Sequence, residues 1–155
     1  MTWHKNSTGP RVRNAKKTTL EVDGKPHTFP SHLEALRYLE LKRLKEAGIV
    51  KEIELQPIFE LQPAYRKCCG NIWYLKPHGF SFPGPKICQI CKKKMPAIKA
   101  ITYIADFRIT YTNGHVEIED VKGLETEVFK LKRKMFEYKY PELTLKIVKT
   151  VRGAR

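Results

Sequence analysis

The stretch "YIADFRITYTNGHVEIEDVKG", Tyr103 to Gly123, places Asp106 before a turn signal and Asp120-Val121-Lys122 after it. Carboxylates that converge on one point hold a hard divalent cation such as Mg²⁺, which takes oxygen ligands and keeps several waters. A neighbouring ammonium orients a water or stabilises charge developing on a phosphate. Asp120 and Lys122, two apart on an extended run, share one face. These are the groups that metal-assisted phosphodiester cleavage needs. The plain alternative is a solvated strand face whose charges pair at random, and for an isolated Asp-x-Lys it is the commoner case. Three features favour chemistry here. Asp106 lies among apolar residues, where a charge needs a reason. "TNG" joins the two runs as a hairpin, which makes the acids neighbours. And the chain is basic enough to bind what such a site cuts.

Register decides whether the acids can meet. A two-residue Asn113-Gly114 turn pairs Phe107 with Asp120 and sends Asp106 and Asp120 to opposite faces. That register also matches Phe107, Ile109 and Tyr111 with Val116 and Ile118, so the hydrophobic pattern favours it. A three-residue loop, Thr112 to Gly114 with Gly114 left-handed, sets Asp106 across from Asp120 instead. A β-bulge near the site has the same effect. Shared metal binding requires one of these two departures.

Glu34 is a third candidate carboxylate. Ser31-x-x-Glu34 reads as a capping box at a helix start. One turn into a helix packed on the hairpin, the same side chain can point at the cation. The residues alone leave these two uses equal.

The elements that must position these groups follow from periodicity. Residues 1–17 read as a basic arm carrying Arg11 and Arg13. "TTLEVDGKPHTF" reads as a small hairpin turning at Asp23-Gly24. "SHLEALRYLELKRLKEAG" is a helix capped by Ser31, with Leu33, Leu36, Leu44 and Ala47 at helical spacing and Gly48 as its stop. "VKEIELQPIFELQP" reads as two short strands or one strand interrupted at Pro57. Between Gln62 and Lys99 the texture becomes rich in Pro, Gly, Lys and Cys, as an insertion between core strands does. "TEVFKLKRKMFEYKY" is a second helix with Val128, Leu131, Met135 and Tyr138 on one side and Lys130, Arg133 and Lys134 as a cationic face. "ELTLKIVK" closes as a strand. The order helix, strands, helix, strand predicts a mixed α/β domain interrupted by a cysteine-bearing insertion.

Composition bounds the partners. At 155 residues, with 41% hydrophobic residues, the chain suits about one domain with its own core. Thirty Lys and Arg against 16 Asp and Glu give a formal charge of +14, which suits a polyanion, nucleic acid first among them. No long apolar segment or clean lipid-facing helix argues for a membrane partner. His4, His27, His32 and His115 carry no partner pattern and are expected at the surface.

Cys68, Cys69, Cys88 and Cys91 are the only cysteines. Their clustering points to structural Zn²⁺ rather than to a disulfide framework. Adjacent cysteines seldom serve one ion comfortably, so His78 is an alternative fourth ligand, with Cys69, followed by Gly70, preferred over Cys68. Lys92, Lys93 and Lys94 beside the Cys-x-x-Cys suggest phosphate contact. Trp73, Tyr74, Phe80 and Phe82 are expected as the insertion's miniature core, with base stacking as the second use. Phosphate contact is likewise expected of Lys130, Arg133 and Lys134.

Glu34, Asp106 and Asp120-Val121-Lys122 together resemble the PD-(D/E)XK nuclease superfamily. "VDGKPHTFPSHLEALRYLELKRL", "LQPIFEL", "YIADFRI", "EDVKG" and "FKLKRKMFEYKYP" are similar to segments of phage recombination endonucleases and Holliday-junction resolvases, over most of 20–150 outside the cysteine insertion. The resemblance implies a restriction-endonuclease-like core, a mixed sheet flanked by helices, here with a zinc-knuckle insertion. It implies Glu34, Asp106 and Asp120 as ligands of Mg²⁺ or Mn²⁺, Lys122 as the catalytic lysine and Gln56 as a polar side chain near the site. Ala105 stands where relatives carry proline, and Asp120 stands where they more often carry glutamate. A homodimer cutting branched DNA in the cytoplasm of a bacterial host is the implied setting. An end-processing or restriction-like nuclease, and a non-catalytic zinc-containing DNA-binding protein, are the other expectations.

Overall fold

The computed structural model describes residues 17–75, 84–122 and 124–149. The predicted hairpin forms from β1 (Thr18–Val22) and β2 (Lys25–Phe29), turning through left-handed Asp23 and Gly24. Helix α1 (His32–Glu46) starts where the Ser31 hydroxyl accepts the Glu34 N–H at 3.2 Å, and Gly48 at φ +72° turns the chain away from it. Its packed face is Ala35, Tyr38 and Leu41, with Leu33, Leu36 and Leu44 half-buried beside them, while Ala47 is exposed.

Two strand pairs then bend together. β3 (Val50–Leu55) pairs antiparallel with β8 (Phe107–Tyr111), and β4 (Ile58–Gln62) pairs antiparallel with β7 (Ile101–Ile104). The breaks coincide: Gln56, at φ +51°, donates its N–H to the Asp106 carbonyl at 3.0 Å, and Ala105 donates to the Pro57 carbonyl at 3.2 Å. Pro57 cannot donate to a ladder, so the strand is interrupted there, as its sequence requires. Asp106 therefore stands at the crease. β9 (Val116–Val121) follows β8, and the chain crosses over through α2 (Glu127–Lys139) to β10 (Thr144–Val148), which pairs parallel with β9. The resulting mixed sheet has the order β10-β9-β8-β3.

Each side of that sheet has its own core. On one side α1 and the β1–β2 hairpin cover Phe107, Ile109 and Val121; on the other, α2 and the β4–β7 pair cover Ile118 and Leu145. Phe129 and Phe136 supply the buried face of α2, and Phe136 meets the rings of Phe59, Tyr103 and Tyr140. This corrects the expected face: Val128, Leu131 and Tyr138 are exposed, Tyr138 by 90%. The two phenylalanines fill the space over β4 and β7, which leaves Val128, Leu131 and Tyr138 on the outer side of the helix. Among the described residues no helix is long and apolar enough to cross a membrane.

The insertion between β4 and β7 holds a short hairpin, β5 (Tyr65–Cys68) with β6 (Asn71–Tyr74), and a tight loop around Cys88. Tyr74 is exposed and Trp73 half-buried, so neither forms the expected miniature core; Phe80 and Phe82 lie outside the described residues.

Candidate functional site

The β8–β9 hairpin adopts the longer loop. Phe107 pairs with Glu119 and Arg108 with Ile118, the Tyr111 N–H bonds to the His115 carbonyl, and Gly114 is left-handed at φ +86°. Continued one residue beyond the ladder, this register brings Asp106 alongside Asp120; the Asp106 N–H bonds the Glu119 carbonyl at 3.1 Å, one residue off the Phe107–Glu119 pairing, as at a β-bulge. The hydrophobic register loses because Glu117 and Glu119, which it would send to solvent, have partners inside. Glu119 is fully buried and takes both Nε and Nη2 of Arg37 at 2.7 Å, with Lys146 at 3.2 Å. Tyr111 donates to Glu117 at 2.9 Å. Neither Arg37 nor Tyr103 stood out in the sequence. Each looks like an ordinary helix cation or core aromatic until the fold places an acid beside it.

Asp106 and Asp120 lie near the carboxyl end of β9, and Glu34 is close enough for its charge to act on Asp106. Asp120 is fully buried, accepts the Tyr103 hydroxyl on one oxygen and lies 2.9 Å from the Lys122 ammonium on the other. That second oxygen, Oδ1, makes no hydrogen bond: the ammonium neutralises it by proximity without an aligned N–H. One oxygen of Asp106 accepts the Val121 N–H at 2.6 Å. Glu34, 8% exposed, accepts the Ser31 hydroxyl at 2.8 Å. The Ser31–Glu34 contact is thus a capping arrangement, but through the hydroxyl, and it holds the carboxylate at the site's edge. The capping use is present in this side chain, and its charge is felt at Asp106.

Electrostatics register how close these groups are. Burial, then the charges of Asp120 and Glu34, push Asp106 up to about 7, against the pull of the Val121 N–H and Lys122. Burial also raises Glu34, with the Ser31 bond and Lys122 opposing and Asp120 adding to it. Tyr103 is held protonated by burial and by Asp120, and so remains a donor. These acids are close enough to raise one another's pKa, but among the described residues only the four cysteines bring three or more ligand atoms within 4.8 Å of one another. Lys122 lies over the Phe129 ring at 5.4 Å and opens onto a groove of ≈ 700 Å³ lined by Glu34, Ile104, Leu124, Thr126 and Lys132. Both helix starts, Ser31 and Thr126, border this groove and turn their positive dipole ends towards it.

The penalty on Asp106 makes a test. Its folded pKa, about 7, lies above the ~3.9 of an unfolded aspartate, so between these values the folded chain binds more protons. Stability then falls as pH rises through that window. Asn at this position keeps an acceptor for the Val121 N–H and removes the charge. Asp106→Asn is expected to be more stable than wild type by about 2 kcal/mol at pH 8 without added cation, with the gain vanishing near pH 4. Urea unfolding across pH measures it; a variant less stable at pH 8 contradicts the crowded-acid picture.

Gln56 touches the site through its backbone bond to Asp106, and its residue is exposed. Lys130 and Arg133 each pair at 2.8 Å with an acid of their own helix, Glu127 and Glu137, so the cationic face is interleaved with carboxylates. Exposed pairs of this kind are weak. Arg11, Arg13 and His78 lie outside the described residues.

All four cysteine sulfurs lie within 4.8 Å of one another, so they can hold a metal such as zinc. Cys68 is 3.3 Å from Cys91 and 3.8 Å from Cys69. Adjacent side chains on a strand point to opposite faces. Here Cys69 leaves the strand at φ +50°, with Gly70 at +78°, and that turn brings both sulfurs round to one side. The backbone N–H groups of Cys91 and Ile90 bring Cys88 down to about 7. Sharing a proton with the Cys91 sulfur pushes Cys68 up to about 12.

Residues 12–154 match the family described as "Protein of unknown function (DUF1064)", and the chain belongs to it. The matched range runs across the acids and the cysteine-bearing segment alike. No curated protein and no solved structure matches the chain.

Proposed function

We propose that this chain is a divalent-cation-dependent DNA endonuclease with a restriction-endonuclease-like core, acting on branched intermediates such as four-way junctions. The observation that carries the reading is the proximity of Asp106, just before β8, to Asp120 on β9, with Glu34 and Lys122 near enough to alter the acids' charge. The order α1, β3, β8, β9, α2, β10 around a mixed sheet flanked by helices supports the core the resemblance implies.

Glu34, Asp106 and Asp120 would hold Mg²⁺ or Mn²⁺, which when bound supplies positive charge to the scissile phosphate. The chain's own groups do the rest. The +14 charge draws the DNA backbone in, and both helix starts favour a phosphate in the groove. Tyr103 fixes the Asp120 carboxylate by donating to it, and Asp120 with the Phe129 ring face fixes the Lys122 ammonium. Lys122 orients the attacking water or a phosphate oxygen. Water attacks phosphorus in line and the 3′ oxygen leaves, so the product carries a 5′-phosphate, as the resemblance implies. A homodimer, also implied by the resemblance, would set two such sites on symmetric strands.

Incubating the purified protein with a four-way junction, a flap, a single strand and a plain duplex, with and without Mg²⁺, tests this reading. Cation-dependent cutting with preference for the junction is expected. Cutting of linear ends or of plain duplex alone favours an end-processing or restriction-like enzyme. Binding without cutting on every substrate overturns the enzyme and leaves a zinc-containing DNA-binding protein.

A further inference from the structure

We propose that Cys68, Cys69, Cys88 and Cys91 together bind one structural Zn²⁺ as four thiolates, and that this ion is what folds the insertion between β4 and β7. The geometry is that of two turns facing each other. One is Cys68-Cys69-Gly70, with left-handed φ at Cys69 and Gly70; the other is Cys88-Gln89-Ile90-Cys91, followed by Lys92 at φ +58°. Each turn delivers two sulfurs, and in the second the Lys92 N–H closes on the Cys88 carbonyl at 2.9 Å. Zn–S bonds of ~2.3 Å put tetrahedral sulfurs ~3.8 Å apart. The observed separations, 3.3 and 3.8 Å with all four sulfurs inside 4.8 Å, bracket that edge.

The second observation is what the insertion lacks. Among its described residues from 63 to 100, only Cys88 and Met95 are buried, while Ile72, Ile87 and Ile90 are all more than half exposed. Two side chains are too small a core to hold some thirty residues against chain entropy, roughly 1–2 kcal/mol for each residue ordered. Metal binding supplies that deficit in small modules of this kind. Fixing the two turns also fixes Lys92, Lys93 and Lys94, all exposed, as a cationic tip beside the sulfurs.

Elemental analysis of protein purified without chelators should find one zinc per chain. Replacing it with Co²⁺ should give the intense tetrahedral bands and sulfur charge transfer of four-thiolate coordination. Cys69→Ser and Cys88→Ser should each lose the metal, whereas His78→Ala should keep it. Asp120→Asn should also keep it, which separates this site from the carboxylate site: either can fail alone. A Co²⁺ spectrum of three sulfurs and one nitrogen overturns the four-cysteine assignment, as does zinc lost from His78→Ala but retained in Cys69→Ser. Absence of bound metal from the wild type overturns the site altogether. The spectrum is read on wild-type protein, so it decides even where a serine variant fails to fold.

Discussion

Asp120→Asn is expected to lower Mg²⁺-dependent cleavage of a four-way junction by about 10³-fold or more while leaving DNA binding in place. The asparagine keeps the volume of the side chain and an acceptor for the Tyr103 hydroxyl, so the packing around β9 has no reason to change. What disappears is the negative charge that faces Asp106 and holds Lys122 at 2.9 Å. On the proposed mechanism, cation affinity and the orientation of Lys122 should be lost together, and with them the help both would give at the scissile phosphate. Affinity for DNA should hold, because Asp120 is fully buried and does not line the groove. Cleavage rates measured beside binding isotherms at fixed salt separate the two effects. Wild-type cutting by this variant would remove Asp120 from the chemistry.

A second large effect is expected away from the reacting groups. Arg37→Ala should destabilise the protein by about 3 kcal/mol, and lower its cleavage rate as well. The guanidinium makes two 2.7 Å bonds to Glu119, whose side chain is fully buried, and a third of 2.8 Å to Glu40. Taking away one partner of a buried pair strands the other charge, and Lys146 at 3.2 Å compensates only in part. Replacing the pair together, as Arg37→Met with Glu119→Leu, should recover most of the lost stability. The catalytic consequence follows from position. Arg37 lies one turn after Glu34 on α1, and Glu119 lies next to Asp120 on β9, so this pair pins the helix that carries one acid to the strand that carries another. Urea unfolding at pH 7.5 reads the stability. Equal stability of Arg37→Ala and wild type would show that the pair does not brace α1 against β9.

Much of the candidate site's local geometry is legible in the sequence, because its signals are local. Asp-x-Lys on an alternating run, an Asn-Gly turn and a serine three residues before Glu34 each depend on neighbours in sequence. The register depended on something farther off. Read alone, alternation pairs Phe107 with Asp120, because Glu117 and Glu119 look like solvent-facing residues. The partners that admit them to the interior come from α1 and β10, and a charge looks exposed until its counter-charge is placed. The same holds for α2, where the spacing of Val128, Leu131, Met135 and Tyr138 makes a convincing stripe. Which stripe is buried was set by the space over β4 and β7, filled by Phe129 and Phe136. The cysteine pair was legible as metal chemistry but not as geometry, since the objection to adjacent ligands assumes an extended backbone that Cys69 does not have.

Everything proposed for catalysis depends on Asp106, Asp120 and Glu34 sharing one ion. Crystals grown or soaked with Mn²⁺ and measured at its absorption edge locate that ion directly. A single anomalous peak is expected at the carboxyl end of β9, bound by carboxylate oxygens of Asp106 and Asp120 at roughly the 2.1 Å typical of Mg²⁺-type coordination, with Glu34 as the third acid. Crystals that show manganese elsewhere, or none there at saturating concentration, would contradict it.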